Sequence, residues 1–144
     1  MVLLSIGFTA SYAQESGQVF TMVDEMPVYP GCDSLKSYDE MSSCTLRMIS
    51  KFISQEIRYP EEAKKKKDEG TVYVEYIIEE SGEVTNVQLM GGMGRNVDES
   101  LNHEAVRVVS SLPQMKPGRK NGKAVRVKQT LPIRFRINSE DDKD

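Results

Sequence analysis

Apolar and polar residues change rhythm several times along the chain, and each rhythm predicts an element. Leu46, Ile49, Ile53 and Ile57 recur at helical spacing, Phe52 widens the stripe, and Thr45 or Ser43 can cap the start. Tyr59-Pro60 closes that helix, because the residue before a proline is driven toward extended geometry, and Pro60 suits the first turn of a short second helix. Glu61 and Glu62 fall at its positive end, Lys64 to Lys67 at its negative end and Gly70 beyond, so the lysine run reads as a solvated helix terminus. From Thr71 to Ile78 the period drops to two: Val72, Val74, Tyr76 and Ile78 share one face, with Thr71, Tyr73 and Glu75 on the other. Glu79-Glu80-Ser81-Gly82 turns the chain into Val84 to Leu89, where Val87 and Leu89 share a side, which predicts an antiparallel hairpin. Gly91 to Gly94 breaks the strand.

Asn96, Asp98 and Glu99 then give a helix start, and Val97, Leu101, Ala105, Val108 and Leu112 mark one helical face up to Pro113. Met115 to Gly122 reads as a basic loop. In the last element Val125, Val127, Leu131, Ile133, Phe135 and Ile137 share one parity, with Gln129 its only polar member, while Arg126, Lys128, Thr130, Arg134 and Arg136 share the other. The order helix-strand-strand-helix-strand predicts an α+β fold, an antiparallel three-stranded sheet with its helices packed on one face, over residues 45–138. Residues 14–44, carrying Pro27, Pro30 and Gly31, read as an irregular arm, and the acidic tail 139–144 as disordered.

Composition narrows the function. With 144 residues, 38% hydrophobic and 28% charged, the chain makes one ordinary domain. One His and two Cys exclude a His-rich zinc centre or a four-thiolate cluster, and no metal or cofactor is expected. The net charge of -3 conceals a segregation. From Ala105 to Ser139 there is no acidic residue, yet Arg107, Lys116, Arg119, Lys120, Lys123, Arg126, Lys128, Arg134 and Arg136 all lie there. At the other end, Val2 to Phe8 is apolar and Ser11-Tyr12-Ala13 sets small residues before Gln14, so residues 1–13 are expected to be a signal peptide or the remnant of an anchor. Export to an oxidising compartment makes a disulfide the expected state of Cys32 and Cys44, whose spacing is not that of a redox-active Cys-x-x-Cys pair.

Pro132 sits inside the last strand. Proline cannot donate to a ladder, so the strand is expected at a sheet edge or at a bulge, with Thr130 and Arg134 presenting their backbone groups outward and Leu131 and Ile133 pairing inward. Such an edge is either guarded by its own basic side chains or used for β-augmentation, the addition of an extended peptide as a further strand. The second reading makes Arg126, Val127, Lys128, Gln129, Thr130, Leu131, Arg134 and Arg136 the candidate partner-binding residues, the basic ones selecting acidic or polar sequence.

A run of landmarks from Asp24 to Ile137 resembles a known family. In order they are Met26-Pro27-Val28-Tyr29-Pro30-Gly31, Ile57-Arg58-Tyr59-Pro60-Glu61-Glu62-Ala63, Gly70-Thr71-Val72-Tyr73-Val74 and Gly82-Glu83-Val84-Thr85-Asn86-Val87. Glu104-Ala105-Val106-Arg107-Val108-Val109, Leu112-Pro113, Lys116-Pro117-Gly118, Asn121-Gly122-Lys123 and Leu131-Pro132-Ile133-Arg134-Phe135 follow. Together they are similar to the C-terminal domain of the periplasmic energy transducer TonB. The resemblance implies a periplasmic module that binds the N-terminal box peptides of TonB-dependent outer-membrane transporters along its last strand and passes on force from an inner-membrane proton-driven complex. A free-standing periplasmic adaptor or regulator of the same fold is the alternative, and a homodimer stays open. A full transducer also carries an inner-membrane anchor and a long Pro-rich spacer, and this sequence is expected to depart from that pattern unless Val2 to Phe8 is the remnant of an anchor. Cys32, standing where many members carry a second glycine after Pro-Gly, is a further departure.

Other chemistries fit less well. Gly92-Met93-Gly94 suggests a dinucleotide-binding turn, but Val97 holds the third glycine's place. His103 falls between the apolar positions of its helix with no nucleophile beside it. Glu79, Glu80 and Glu83 cluster in a turn, where solvated charges are routine, so no enzyme is expected. Nucleic acid is not an expected partner either, since Phe135 is the only aromatic residue in the basic stretch.

Overall fold

The computed structural model describes residues 17–90 and 96–138. The leader at 1–13, the Gly-rich break at 91–94 and the acidic tail at 139–144 lie outside the described residues. The elements run β1 (Val19–Phe20), a 3-10 turn (Cys32–Ser34), α1 (Tyr38–Glu56), α2 (Glu61–Lys65), β2 (Gly70–Ile78), β3 (Val84–Leu89), α3 (Glu99–Ser110), β4 (Gly118–Lys120) and β5 (Lys123–Phe135).

The fold is α+β, with a sheet of five strands rather than three. Its main path is β1-β5-β2-β3, and β4 also pairs with β5. The long antiparallel ladder between β2 and β5 runs from Gly70 opposite Phe135 to Ile78 opposite Val127. One strand beyond the three arises inside the stretch expected as a basic loop. Asn121 and Gly122 both have positive φ, 51° and 77°, which a two-residue hairpin needs to follow the strands' twist, and they fold β4 onto the start of β5. The other extra strand is β1, which runs parallel to β5 with Val19 beside Arg126 and Phe20 beside Val127.

Alternation decides the faces. Val72, Val74, Tyr76 and Ile78 of β2 and Val127, Ile133 and Phe135 of β5 are buried, as their shared parity predicts. Between Glu75 and Ile77 the β2–β3 register slips, with Asn86 at φ 49°, a bulge that lets Val84 and Val87 both pack on the core side of the hairpin, while Leu89 at its end is exposed. Leu101, Ala105, Val108 and Leu112 of the third helical region enter the same core, with Val97 packed at its margin. Asp98 caps α3 by accepting from the Ser100 backbone N–H.

Helix α1 starts earlier than its apolar stripe. Ser37 caps it by accepting from the Glu40 N–H at 3.2 Å, so Tyr38 to Cys44, expected within the irregular arm, is helical. The rest of the arm is tied to the domain by paired backbone bonds, Glu25 with Arg119 and Val28 with Lys116. Tyr29 N–H donates to the buried Thr45 hydroxyl, and the Cys32–Cys44 disulfide joins the arm to α1 across a Cα separation of 5.7 Å. Lys67, at φ 51°, ends α2, so Gly70 is free to open β2 instead of terminating the helix.

Candidate functional site

Tyr73 lies opposite Pro132 in the β2–β5 ladder. The Tyr73 carbonyl accepts from the Met90 N–H at 2.9 Å, so its polar backbone groups face β3 and not β5. In an antiparallel ladder the facing residue then turns its own groups the opposite way. The missing N–H of Pro132 therefore points away from β2. By the same period of two, Lys128, Thr130 and Arg134 direct their backbone groups to that side, and Leu131 and Ile133 direct theirs to β2.

What pairs with that outer side changes along β5. Its opening residues, Lys123 to Val125, pair with β4, and Arg126 and Val127 with β1. From Lys128 to Phe135, β5 has β2 as its only strand partner among the described residues. Beside this open run lies a groove of about 450 Å³, lined by Ile49, Ser50, Ile53, Ser54 and Ile57 of the α1 region and by Leu131 to Arg134. A second hollow of about 410 Å³ continues from it and is polar, with Lys64, Arg134 and Arg136 together with Ser54, Tyr59 and Asn138 in its wall. An extended segment placed on the edge would thus meet unpaired backbone groups along one side, aliphatic side chains on the α1 side and cations at one end.

The structure divides the sequence-predicted residues by what holds them. Arg126 Nε donates to Glu79 Oε2 at 2.6 Å and Nη2 to Oε1 at 3.0 Å, while Nη1 donates to the Gly17 carbonyl at 3.0 Å. That pairing raises the Arg126 guanidinium pKa above its ordinary value and lowers the Glu79 carboxyl, which also accepts from the Thr85 hydroxyl. Val127 is wholly buried between β1 and β2. The arm thus covers the edge at Arg126 and Val127, and the open run is shorter by these two residues.

Lys128 reaches Glu75 at 3.7 Å. Gln129, the polar member of the apolar parity, accepts at 3.0 Å from the hydroxyl of Tyr76, the residue directly across the ladder. Burial pushes that hydroxyl's pKa up, so Gln129 satisfies a buried donor. Thr130 is exposed on the open edge, Leu131 lines the groove, and Arg134 and Arg136 meet in the polar hollow. Among the described residues neither Arg134 nor Arg136 is in an ion pair.

Sequence reasoning missed the helical wall. In the sequence Ile49, Ile53 and Ile57 mark only a helical stripe, whereas in the structure Ile53 and Ile57 are partly exposed and line the groove. The available signal was the breadth of the stripe: Met48 and Phe52 pack against the core beside Ile53 and Ile57, so the apolar face is wider than a single row. Glu104 was missed too: nearly buried, it accepts from the Arg58 N–H and pairs with Arg107, which in turn donates to the Glu56 carbonyl. This network fastens the end of α1 to α3 and so fixes the groove's wall. No cluster of His, Cys, Asp or Glu among the described residues could hold a metal ion. Nor is any helix among them long and apolar enough to cross a membrane.

A small α+β domain with an open strand edge beside an apolar groove is the class these features define. The chain belongs to the family described as the Gram-negative bacterial TonB protein C-terminal, which matches residues 55–137. That family is periplasmic and associated with transport rather than catalysis. Among solved structures the chain is similar to two lengths of the Helicobacter pylori TonB C-terminal domain, both determined in solution by NMR. One is 29% identical with a TM-score of 0.45, covering 62% of this chain and 90% of that one. The other is 24% identical with a TM-score of 0.46, covering 74% and 90%. No curated protein matches the chain.

Proposed function

We propose that the chain is a periplasmic module that docks outer-membrane transporters by taking up their N-terminal box peptides as an added strand along Lys128 to Arg134, and so contributes to energy-coupled transport. The observation that supports this most is the unpaired side of β5 from Lys128 to Phe135, set beside the groove of Ile49, Ile53 and Ile57. Strand addition needs both parts: main-chain bonds supply affinity, and pockets for alternate side chains supply selectivity. Force from an inner-membrane proton-driven complex would reach the docked peptide through the β2–β5 ladder, the longest pairing in the sheet.

The test is an NMR titration of the full chain with N-terminal peptides of outer-membrane transporters from the same genome. Saturable shifts at the Thr130 and Arg134 amides, with smaller ones at Leu131 and Ile133, are the expected result. Unchanged signals along Lys128 to Arg134 at millimolar peptide would overturn the reading.

A further inference from the structure

We infer that Pro132 and Arg134 make the open edge of β5 selective against a second copy of this chain and in favour of a visiting segment with an acidic side chain at one end. The visitor rests on the docking reading above, whereas the discrimination against self-pairing can be tested with no visitor present.

An open strand beside apolar side chains is the feature through which sheets join edge to edge, so something must disfavour that outcome. Two copies pairing antiparallel do so about a two-fold axis, and whatever one edge lacks is then lacking twice. Pro132 withholds one donor on the outer side. A visiting segment meets that gap once. A symmetric pair of edges meets it at Pro132 of each copy. Each net hydrogen bond is worth roughly two- to tenfold in an equilibrium constant, so the proline penalises the self-pair by that extra factor relative to the visitor.

Charge acts in the same direction. The side chains of Lys128, Thr130, Pro132 and Arg134 share the sheet face opposite the core. In the symmetric register that sets Pro132 against Pro132, Lys128 faces Arg136. In the register that sets Pro132 against Thr130, Arg134 faces Lys128. Cations directly opposite one another destabilise a pair of strands. Lys128 has Glu75 nearby, but Arg134 and Arg136 have no ion-pair partner among the described residues. A visitor with a carboxylate at that end instead finds Lys64, Arg134 and Arg136 around one hollow, with no acidic residue in its wall.

The first measurement is sedimentation equilibrium of the full chain and its Pro132→Val variant without peptide. Wild type is expected to stay monomeric into the millimolar range. The variant is expected to dimerise roughly four- to a hundredfold more tightly, two regained bonds at two- to tenfold each, with its Thr130 and Arg134 amides becoming protected from exchange. Should the valine variant lose its circular dichroism, Pro132→Ala restores the same donor at smaller volume. A folded variant as monomeric as wild type, or a wild-type dimer that protects those amides, overturns the proline's role.

The second measurement uses eight-residue peptides of alternating valine and threonine, with glutamate or glutamine at one terminus or the other. One glutamate peptide is expected to bind wild type severalfold more tightly than its glutamine twin, and Arg134→Gln is expected to erase the difference. Equal binding of all the peptides overturns the acidic preference. Failure of every peptide to bind overturns the docking reading and the visitor with it, and the sedimentation result still decides the case of Pro132.

Discussion

Tyr73 and Pro132 face one another across β2 and β5 with their polar backbone groups turned in opposite directions, Tyr73 toward β3 and Pro132 toward the open edge. The amides of alternate residues along β5 therefore have different fates. Those of Leu131 and Ile133 are held by β2, and those of Thr130 and Arg134 meet solvent. Hydrogen exchange read by NMR should show Thr130 and Arg134 exchanging orders of magnitude faster than Leu131 and Ile133, since exposed backbone groups exchange without any opening of the sheet. Equal protection of Thr130 and Leu131 would mean that the edge is covered.

The arm's hold on β5 depends on a carboxylate. Arg126 reaches both Glu79 and the Gly17 carbonyl, which places the guanidinium where β1 meets β5. Hydrogen bonds from Arg126 first, then Thr85, hold the Glu79 carboxyl below its ordinary value of 4.5. A lowered carboxyl contributes stability that is complete above the unfolded pKa and is lost as pH falls through the folded one. Acidification below pH 4.5 should thus loosen Val19 and Phe20 from the edge, seen as a shift of the Phe20 amide signal. The same shift should be absent or displaced in Glu79→Gln, which cannot titrate there.

The parts of the fold written in periodic side chains were legible in the sequence, and the parts held by the arm were not. Val72, Val74, Tyr76 and Ile78 alternate, and Leu101, Ala105 and Val108 recur at helical spacing, because each set buries one face, and both sets are in the core. Pro132 likewise announced an edge, since its chemistry is local. By contrast Val19–Phe20 is a strand only because Arg126 and Val127 happen to lie beside it, a long-range pairing that two residues cannot advertise. Asn121-Gly122 is a readable hairpin signal, but the basic residues around it read equally as a loop. The groove needed α1 and β5 at once, so its two halves were visible separately while their adjacency was not.

The Cys32–Cys44 bond should stabilise the domain through the arm rather than through the docking edge. It closes a loop of 12 residues' separation, and the chain-entropy model gives about 3 kcal/mol for a loop of this length. The double variant Cys32→Ala/Cys44→Ala should lose stability of that order in urea unfolding. Its amide signals from Thr71 to Ile78 should stay in place, because β2 pairs with β3 and β5 and not with the arm. Loss of less than about 1 kcal/mol would mean that the bonds from Glu25, Val28 and Tyr29 already restrain the arm without the disulfide.

Gly82 and Gly122 provide a matched comparison of backbone freedom with close approach. Both sit at positive φ, 89° and 77°, so alanine at either is disfavoured by about 1 to 2 kcal/mol for the left-handed backbone alone. At Gly122 a Cβ would meet nothing within 4 Å. At Gly82 it would stand 1.7 Å from the Met115 carbonyl oxygen, in a segment whose Met115 N–H also donates to the Gly82 carbonyl at 2.9 Å. Met115 is buried, so its backbone cannot retreat without moving the core side chain attached to it. Gly82→Ala should therefore cost clearly more than Gly122→Ala in thermal unfolding, by at least about 2 kcal/mol, and it should shift the Val28 and Lys116 amides that pair next to Met115. Equal costs at the two sites would show that the β2–β3 turn does not pack against the segment leading into β4, and would loosen the link between the sheet and the arm.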